Sequence, residues 1–347
     1  MKITFQYQTF DPKAFGLVVS EDVEYARLGQ FVLDWIDGHE EFIFQTSGST
    51  GAPKEITIGR NQILASVAGT QRALGLASGD NVLICLSPAY IATMMMMARA
   101  LILDLDVVIL APSSDPLARL DAKVDFASFV PFQVYTMIDS GSIDRIGCIR
   151  NTLIGGAPLH QAAQKHLSQY PNSNYMTYGM TETVSHVALM RIVPVLKESV
   201  YQVLEGIDFG IDNDCLWLQG EVTNHQRLQT NDMVEILGSR SFRWLGRKDN
   251  VINSGGVKIN PEQIEPLIAS FLKSIGIQSD IFLSGYPDDK LGQRLVLHIE
   301  SDNSRDDLLP LISDALKQHV SRYHIPKEIR YLKTFRRTDN GKIKRIN

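Results

Sequence analysis

The sequence predicts an α/β fold with a large N-terminal α/β domain and a small α+β domain after it. Between residues 42 and 177, apolar strands alternate with helices, which is typical of a largely parallel sheet. From about residue 214 short strands separated by turns replace this alternation, and helices return after about residue 249. A chain of 347 residues can bury two cores. We therefore predict domains over residues 1–248 and 249–347.

The elements of the first domain follow from the spacing of apolar residues. Ile63, Leu64 and Val67 recur at helical spacing, whereas 81–86 is a continuous apolar run of strand length. In chain order, the same reasoning predicts a helix at 23–37, a strand at 42–44, a helix at 61–74, a strand at 81–86, a helix at 91–103, a strand at 107–110, a strand at 152–154, a helix at 159–169 and a strand at 174–177.

The later part of the chain predicts antiparallel structure and then a small α+β unit. The segment that begins at residue 261 has an amphipathic pattern and starts with a proline, as many helices do. The predicted elements are strands at 215–218 and 233–237, a helix at 261–272, strands at 281–284 and 295–299, and a helix at 306–323.

Composition limits the classes of partner and compartment. A net charge of −5 offers no electrostatic reason to expect nucleic acid or a membrane surface as a partner. Cys85, Cys148 and Cys215 are scattered, which favours a reducing compartment, and the histidines show no metal-ligand spacing. The N-terminus lacks a signal-peptide pattern, and the apolar helix at 91–103 is too short to cross a bilayer. We expect a cytoplasmic protein.

A hydroxyl- and glycine-rich loop follows the strand at 42–44. Glycines let backbone N–H groups approach phosphate oxygens, and hydroxyls and a lysine add donors and positive charge. The spacing differs from that of P-loop NTPases because Pro53 separates the last glycine from the lysine. A flexible turn explains such a segment equally well when it is considered alone. The candidate polyphosphate ligands are Thr46, Ser47, Gly48, Ser49, Thr50, Gly51 and Lys54.

Two further segments carry side chains suited to a nucleotide. Tyr178 and the residues up to Thr183 are predicted to form a turn after a strand, where the ring could stack on a base and Glu182 could hold Mg²⁺. An ordinary helix start with Thr181 near its cap is the alternative. Asp232 precedes a strand and could bridge two ribose hydroxyls, or could be a simple turn residue.

Together with the segments 246–259 and 337–345, these motifs resemble the adenylate-forming superfamily, which includes acyl-CoA synthetases, adenylation domains of nonribosomal peptide synthetases and luciferases. The resemblance covers residues 42–347 and rests on motifs in the family's order. It implies that the loop at 46–54 orients the β- and γ-phosphates of ATP. It also implies an adenosine and α-phosphate site formed by Gly155, Gly156, Ala157, Tyr178, Gly179, Thr181, Asp232 and Arg247, with Glu182 as the Mg²⁺ ligand.

The same resemblance implies a mobile second domain. Lys342 matches the lysine that bridges the carboxylate and the α-phosphate during adenylation, and Asp249 matches the hinge between the domains. The segment Ser254, Gly255 and Gly256 would line the channel for the thiol of coenzyme A, because glycines suit a narrow pantetheine path. ATP, CoA, Mg²⁺ and a carboxylic acid are the expected ligands, and the N-terminal part is truncated relative to the family.

The expected acid is small, because little chain precedes the phosphate loop. Compact chains of this kind resemble the short o-succinylbenzoate–CoA ligases of menaquinone biosynthesis, which implies that Tyr90 and Arg99 contact the acid. Two simpler interpretations stay open here: Arg99 could pair with Asp104 or Asp106, and the run of methionines at 94–97 could be a packed core helix. A homodimer could cover surface exposed by the truncation.

Two other functions use the same motifs. One is a stand-alone adenylation enzyme that loads an aryl or amino acid onto a carrier protein. The other is a non-catalytic nucleotide-binding protein. Retention of the charged residues Lys54, Glu182, Asp232, Arg247 and Lys342 disfavours the second.

Overall fold

The computed structural model describes residues 1–45, 55–194, 200–337 and 343–345. Its first half contains the nine predicted strands and helices, with bounds that differ by a few residues, and six further elements that the sequence analysis did not predict. These elements are β1 (Ile3–Phe5), β2 (Gln8–Phe10), α1 (Pro12–Val19), α2 (Ala26–Ile36), β3 (Glu41–Gln45), β4 (Glu55–Gly59), α3 (Arg60–Leu74), β5 (Asn81–Ile84), α4 (Ile91–Leu103), β6 (Asp106–Ile109), β7 (Phe126–Phe129), α5 (Pro131–Ser140), β8 (Asn151–Ile154), α6 (Gln161–Leu167) and β9 (Ser173–Gly179).

The second half is mostly antiparallel. Its elements are β10 (His186–Arg191), β11 (Val200–Val203), β12 (Ile207–Asp212), β13 (Cys215–Gly220), β14 (Leu228–Gln229), β15 (Asp232–Gly238), β16 (Ser241–Arg247), β17 (Ile252–Ser254), β18 (Val257–Ile259), α7 (Pro261–Ser274), β19 (Ile281–Asp288), β20 (Gly292–Glu300), α8 (Leu308–Leu316) and β21 (Glu328–Leu332).

One large sheet organises the first 247 residues. Among the described residues it has eleven strands, in the order β15-β16-β11-β10-β9-β8-β7-β5-β6-β1-β2. The strands from β9 to β1 in that order run parallel, and those on either side pair antiparallel. The predicted α/β fold is therefore confirmed. Two smaller antiparallel sheets accompany the large one: β12-β13-β14, and the hairpin β3-β4 that brackets residues 46–54.

Helix α4 is a core helix. Its residues from Thr93 to Ala100 are all buried, including the four methionines and Arg99. A helix with apolar residues on every side is stable only when it is enclosed by other elements. The interpretation of the run at 94–97 as a packed core helix is therefore confirmed.

The chain after residue 251 has its own sheet and core. Strands β17 to β21 form a five-stranded sheet within the described part of the chain, with β21 parallel to β20. Ile252, Ile264, Leu297 and Ile312 belong to a hydrophobic cluster made only of residues from this segment. The domain boundary between residues 248 and 249 stays a prediction, as does the mobility of the second domain.

The predicted helix at 306–323 was too long. Helix α8 ends at Leu316, and a separate turn of 3₁₀ helix follows at Arg322–His324. The intervening residues turn so that Ile325 reaches the same core as Leu316.

Helix α1 was not predicted, although its start carries two common signals. Asp11 caps it by accepting a 2.9 Å hydrogen bond from the amide of Ala14, and a proline follows the cap.

Candidate active site

The candidate nucleotide site begins where two parallel strands end. Gly155 and Gly156 follow β8, and Tyr178 and Gly179 end β9, its parallel neighbour. Carboxyl ends of neighbouring parallel strands meet at one edge of a sheet, where ligands of open α/β sheets bind. The fold therefore brings together two segments that the sequence motifs placed 22 residues or more apart. Ala157 follows Gly156 in the same connection.

Both glycine positions are crowded by a neighbouring segment. A Cβ added to Gly155 would lie 2.2 Å from Thr177 Oγ1, and one added to Gly179 would lie 2.3 Å from the carbonyl oxygen of Ser185. Gly156 adds a positive φ of 89°. A side chain at Gly155 would displace the Thr177 side chain, and one at Gly179 would collide with the neighbouring backbone, so packing explains both glycines even before a ligand is considered.

Tyr178 does not sit in a turn as predicted, because it belongs to β9. Its hydroxyl donates a 2.7 Å hydrogen bond to Asp232 Oδ2. Its ring packs edge-on against Phe242 at 5.2 Å and against Tyr201 at 5.9 Å. Burial, followed by the charge of Asp232, raises the pKa of Tyr178 well above its ordinary value, so the hydroxyl stays a donor.

Asp232 is positioned by three hydrogen bonds, one from its backbone amide and two to its carboxylate. It is 7% exposed, and its amide donates a 3.0 Å bond to Thr230 Oγ1. Besides the bond from Tyr178, the indole Nε1 of Trp244 donates to its Oδ1 at 3.0 Å. Within the described part of the chain Asp232 has no ion-pair partner. Its carboxylate is thus oriented by neutral donors.

Arg247 lies opposite Asp232 across the β15–β16 pair. Its guanidinium turns instead to Asp249, with bonds of 2.9 Å and 2.8 Å to the two carboxylate oxygens. The Asp249 carboxylate raises the pKa of Arg247. The predicted hinge residue is therefore tied to the predicted ribose-site arginine.

Thr181 and Glu182 lie in one turn of 3₁₀ helix, Thr181–Thr183. Thr181 is not its cap, because Thr183 Oγ1 accepts the 3.0 Å bond from the amide of Met180. Glu182 is exposed and makes no hydrogen bond or ion pair with the described residues. A free carboxylate of this kind suits a metal that receives its other ligands from phosphate and water. Among the described residues no cluster of three or more His, Cys, Asp or Glu could hold a metal alone.

A strained turn follows Glu182. Val184 has φ of 66° and ψ of −52° and is fully buried, and the amide of Ser185 donates to the carbonyl of Thr183 at 2.7 Å. This is a γ-turn of the rare positive-φ form, which costs about 1–3 kcal/mol for a non-glycine residue. The turn directs Ser185 and His186 towards α4.

Arg99 is the residue of α4 that forms a hydrogen bond with this turn. It is 2% exposed, and its guanidinium donates to Ser185 Oγ at 2.9 Å, Thr70 Oγ1 at 3.3 Å and, weakly, Met96 Sδ at 3.9 Å. Burial lowers its pKa to about 10, so it stays protonated at neutral pH. No described carboxylate forms an ion pair with it. A charge buried in this way is costly unless a ligand compensates it.

The pairing of Arg99 with Asp104 or Asp106 was wrong. Asp104 accepts a 2.6 Å bond from the amino group of Met1, and Asp106 accepts one from the amide of Lys2. Both carboxylates lie at or beyond the C-terminal end of α4, which Asp104 caps in the left-handed conformation.

His186 adjoins the arginine on its other side. Its Nε2 lies 3.2 Å from Thr70 Oγ1, and its Nδ1 lies 3.4 Å from Ser185 Oγ. Burial, and then the charge of Arg99, lowers the pKa of His186 well below its ordinary value. The imidazole is therefore neutral, and Arg99 is the one cation of this group. Tyr90, the other residue predicted to contact the acid, is the N-cap of α4.

The glycines predicted for the CoA channel have a local structural cause. Gly255 and Gly256 connect β17 to β18 with φ of 60° and 78°. A two-residue hairpin turn with both φ values positive strongly favours glycine. Ser254 is buried in β17. The channel itself stays a prediction.

The phosphate loop at 46–54 and Lys342 lie outside the described residues. The structure describes what flanks them. Hairpin β3-β4 brackets the loop, and Arg337 and Ile343 form a β-bridge on either side of the segment that contains Lys342. No helix in the described ranges is long and apolar enough to cross a membrane.

Comparison with known families identifies the family to which this chain belongs. The sequence profile described as "AMP-binding enzyme" matches residues 35–209, half of the chain. The chain belongs to the AMP-binding enzyme family. The enzyme class predicted from the motifs, an AMP-forming acid–thiol ligase, is confirmed with it.

Individual relatives agree with this family. The chain is similar to the acyl-CoA synthetase (AMP-forming)/AMP-acid ligase II-like protein from Dyadobacter fermentans, with 41% identity, 93% of both chains covered and a TM-score of 0.63. The o-succinylbenzoate CoA synthetase from Bacillus subtilis, in complex with its acyl-adenylate intermediate, shares the fold at 21% identity, with 87% of this chain and 67% of that chain covered and a TM-score of 0.74. It has also been solved with ATP and magnesium ion.

Among curated proteins, the 2-succinylbenzoate–CoA ligase of Staphylococcus epidermidis is 27% identical over 87% of this chain and 68% of its own length. The corresponding Staphylococcus aureus protein is matched over 65% of its length. This chain thus spans about two thirds of the length of these relatives.

The sequence reasoning missed Trp244, Ser185 and His186. The last two were detectable in principle, because they follow the motif at 178–183 directly. Trp244 has no local sequence signal, because its bond to Asp232 depends on strand pairing.

Proposed function

We propose that this family member is an acid–CoA ligase that activates o-succinylbenzoate. The observation that carries the choice of acid is Arg99, a buried guanidinium without a carboxylate partner in the described structure and bonded to Ser185, three residues after Glu182. In a dicarboxylic acid, one carboxylate is adenylated and the other stays ionised. The second carboxylate would give the Arg99 guanidinium the anionic partner that it lacks among the described residues. The names of the curated relatives support this choice.

The first proposed step is adenylation. A carboxylate oxygen of the acid attacks the α-phosphorus of ATP, an O–P bond forms, and the bond to pyrophosphate breaks. No general base is needed, because a carboxylate is ionised at neutral pH. Both reactants are anions, so the protein must align them and stabilise the negative charge of the transition state. Lys342, the donors of the 46–54 loop and Thr181 are proposed for this role.

Magnesium fits Glu182, which is exposed and makes no bond to the described residues, and when bound it would neutralise phosphate charge. Adenosine would be held by Asp232 at the ribose and by the segment from Gly155 to Ala157 at the base. The ring of Tyr178 is proposed to contact the adenine, although its hydroxyl is already bonded to Asp232.

The second proposed step is thioester formation. The sulfur of CoA attacks the acyl carbon, a C–S bond forms, AMP leaves with the carboxylate oxygen, and the thiol proton passes to solvent. The second domain would rotate about Asp249, so that the segment from Ser254 to Gly256 replaces Lys342 at the reacting centre.

The test is a product assay with Mg-ATP, CoA and a panel of acids, read by mass spectrometry. The panel contains o-succinylbenzoate, benzoates, short fatty acids, amino acids and 3-benzoylpropionate, which lacks only the ring carboxylate. We expect AMP and a thioester with o-succinylbenzoate. Acyl-adenylate without thioester would instead support loading of a carrier protein. Neither product from any acid, with ATP still bound, would identify a non-catalytic nucleotide-binding protein.

Asp249→Pro is expected to separate the two steps. Proline fixes φ near −65° and is tolerated in the first turn of the 3₁₀ segment Lys248–Asn250, but it restricts rotation there. Adenylation, followed by pyrophosphate exchange, should stay within about 3-fold, whereas thioester formation should fall at least about 10-fold. Asp249→Ala, which removes the carboxylate without stiffening the backbone, is the matched control. A normal thioesterification rate in the proline variant would place the hinge elsewhere.

A further inference from the structure

Strand β16 contains a bulge beside the candidate ribose site. Asp232 pairs with Arg247 and Met233 pairs with Gly246, but Val234 pairs with Trp244, so Leu245 is an extra residue. Side chains alternate between the two faces of a strand, and one extra residue moves everything beyond it to the other face. In a regular ladder Leu245 would oppose Val234, and Trp244 would point away from Asp232.

The bulge therefore places Trp244 on the face of Asp232, where its indole Nε1 donates at 3.0 Å to Oδ1. Tyr178 donates to the other oxygen. A carboxylate offers about four acceptor positions, so two occupied by protein donors leave about two. Two remaining positions, one on each oxygen, match the two neighbouring hydroxyls of a ribose.

From this geometry we propose that Trp244 is a positioning residue that sets the orientation of Asp232 and thereby the preference for a nucleotide with both ribose hydroxyls. The inference rests on the proposed function, in which Asp232 binds the ribose. Indole is well suited to this task because it donates one hydrogen bond in a fixed direction and brings no charge that would compete with the ligand. Trp244 is also partly buried against the hydrophobic core of the first domain, and this packing limits its rotation.

The test compares ATP with 2′-deoxy-ATP and 3′-deoxy-ATP in the wild type and in Trp244→Phe. Phenylalanine retains an aromatic ring but removes the N–H. We expect the KM for ATP to rise about 10-fold with kcat within about 2-fold, because the charged acceptor Asp232 loses one of its two side-chain donors. We also expect the preference for ATP over each deoxy analogue to fall about 10-fold. Weaker binding from lost packing would act on all three nucleotides equally.

Trp217→Phe is the matched control. Trp217 is also partly buried on a strand, and Arg227 lies over its ring at 4.5 Å. This variant should retain the wild-type preference. An unchanged ATP-to-deoxy ratio in Trp244→Phe, or an equal loss in Trp217→Phe, would overturn the proposal.

Equilibrium binding of the same three nucleotides, measured by calorimetry, separates this proposal from the proposed function. If no acid is activated but ATP binds with a ribose preference that Trp244→Phe abolishes, the ligase function fails and the role of Trp244 stands. If the wild type binds ATP and its deoxy analogues equally, the role of Trp244 fails. Absence of nucleotide binding overturns both.

Discussion

Lys342→Ala is expected to lower acyl-adenylate formation by about 100-fold or more, while thioester formation from preformed acyl-adenylate stays within about 3-fold. A cation placed between the carboxylate and the α-phosphate acts only while these two anions approach each other. Once the acyl-adenylate has formed, the positive charge of Lys342 is not needed for thioester formation. Pyrophosphate–ATP exchange measures the first step, and transfer of the acyl group from synthetic acyl-adenylate to CoA measures the second.

The chain around Lys342 offers a matched control. Arg345 is anchored by two bonds to Glu265 at 2.6 Å and 2.7 Å, and the amide of Lys344 donates to the carbonyl of Arg336. Lys344 is exposed, so Lys344→Ala removes the same charge from the same tail without touching these anchors. This variant should adenylate normally. Equal loss of both steps in Lys342→Ala would refute the role of this lysine.

The second large effect is expected from Arg99→Met. Methionine is similar in length, so it removes the buried charge without opening a large cavity. For o-succinylbenzoate, kcat/KM should fall about 10- to 150-fold, which corresponds to the loss of a charge-assisted contact of about 1.5–3 kcal/mol. For 3-benzoylpropionate, kcat/KM should stay the same or rise. That acid lacks the ring carboxylate, so it makes no ion pair with Arg99 that the substitution could remove.

Two measurements separate recognition from folding in this variant. The melting temperature of Arg99→Met should stay unchanged or rise, because the guanidinium that is removed has no ion-pair partner within the described chain. Arg99→Lys retains the charge but not the forked geometry, so its kcat/KM should lie between those of the wild type and Arg99→Met. If both acids lose activity equally, Arg99 supports the fold of the 185–186 turn and does not recognise the acid.

The elements that could be predicted are those with strong periodic patterns. Helices α3 and α4 and strands β5 and β8 came close to their predicted bounds because their apolar residues repeat over several turns or fill a buried strand. The short strands β1 and β2 were missed because three residues carry no measurable period. Helix α8 was predicted too long because a polar turn with helical spacing resembles a helix end.

The site residues also fall into two groups: those that the sequence could predict and those that depend on tertiary structure. The sequence alone determined which reactive residues the chain carries and the order of its motifs, because a glycine-rich loop, Glu182 and Lys342 are local properties of composition and spacing. It could not determine whether Arg99 pairs with a nearby aspartate, and it had no means of linking Trp244 to Asp232. Those outcomes were decided by tertiary structure. Ser185 lies 86 residues from Arg99, and a single extra residue in β16 decides which face Trp244 occupies. Both depend on how distant segments pair, which local periodicity does not encode.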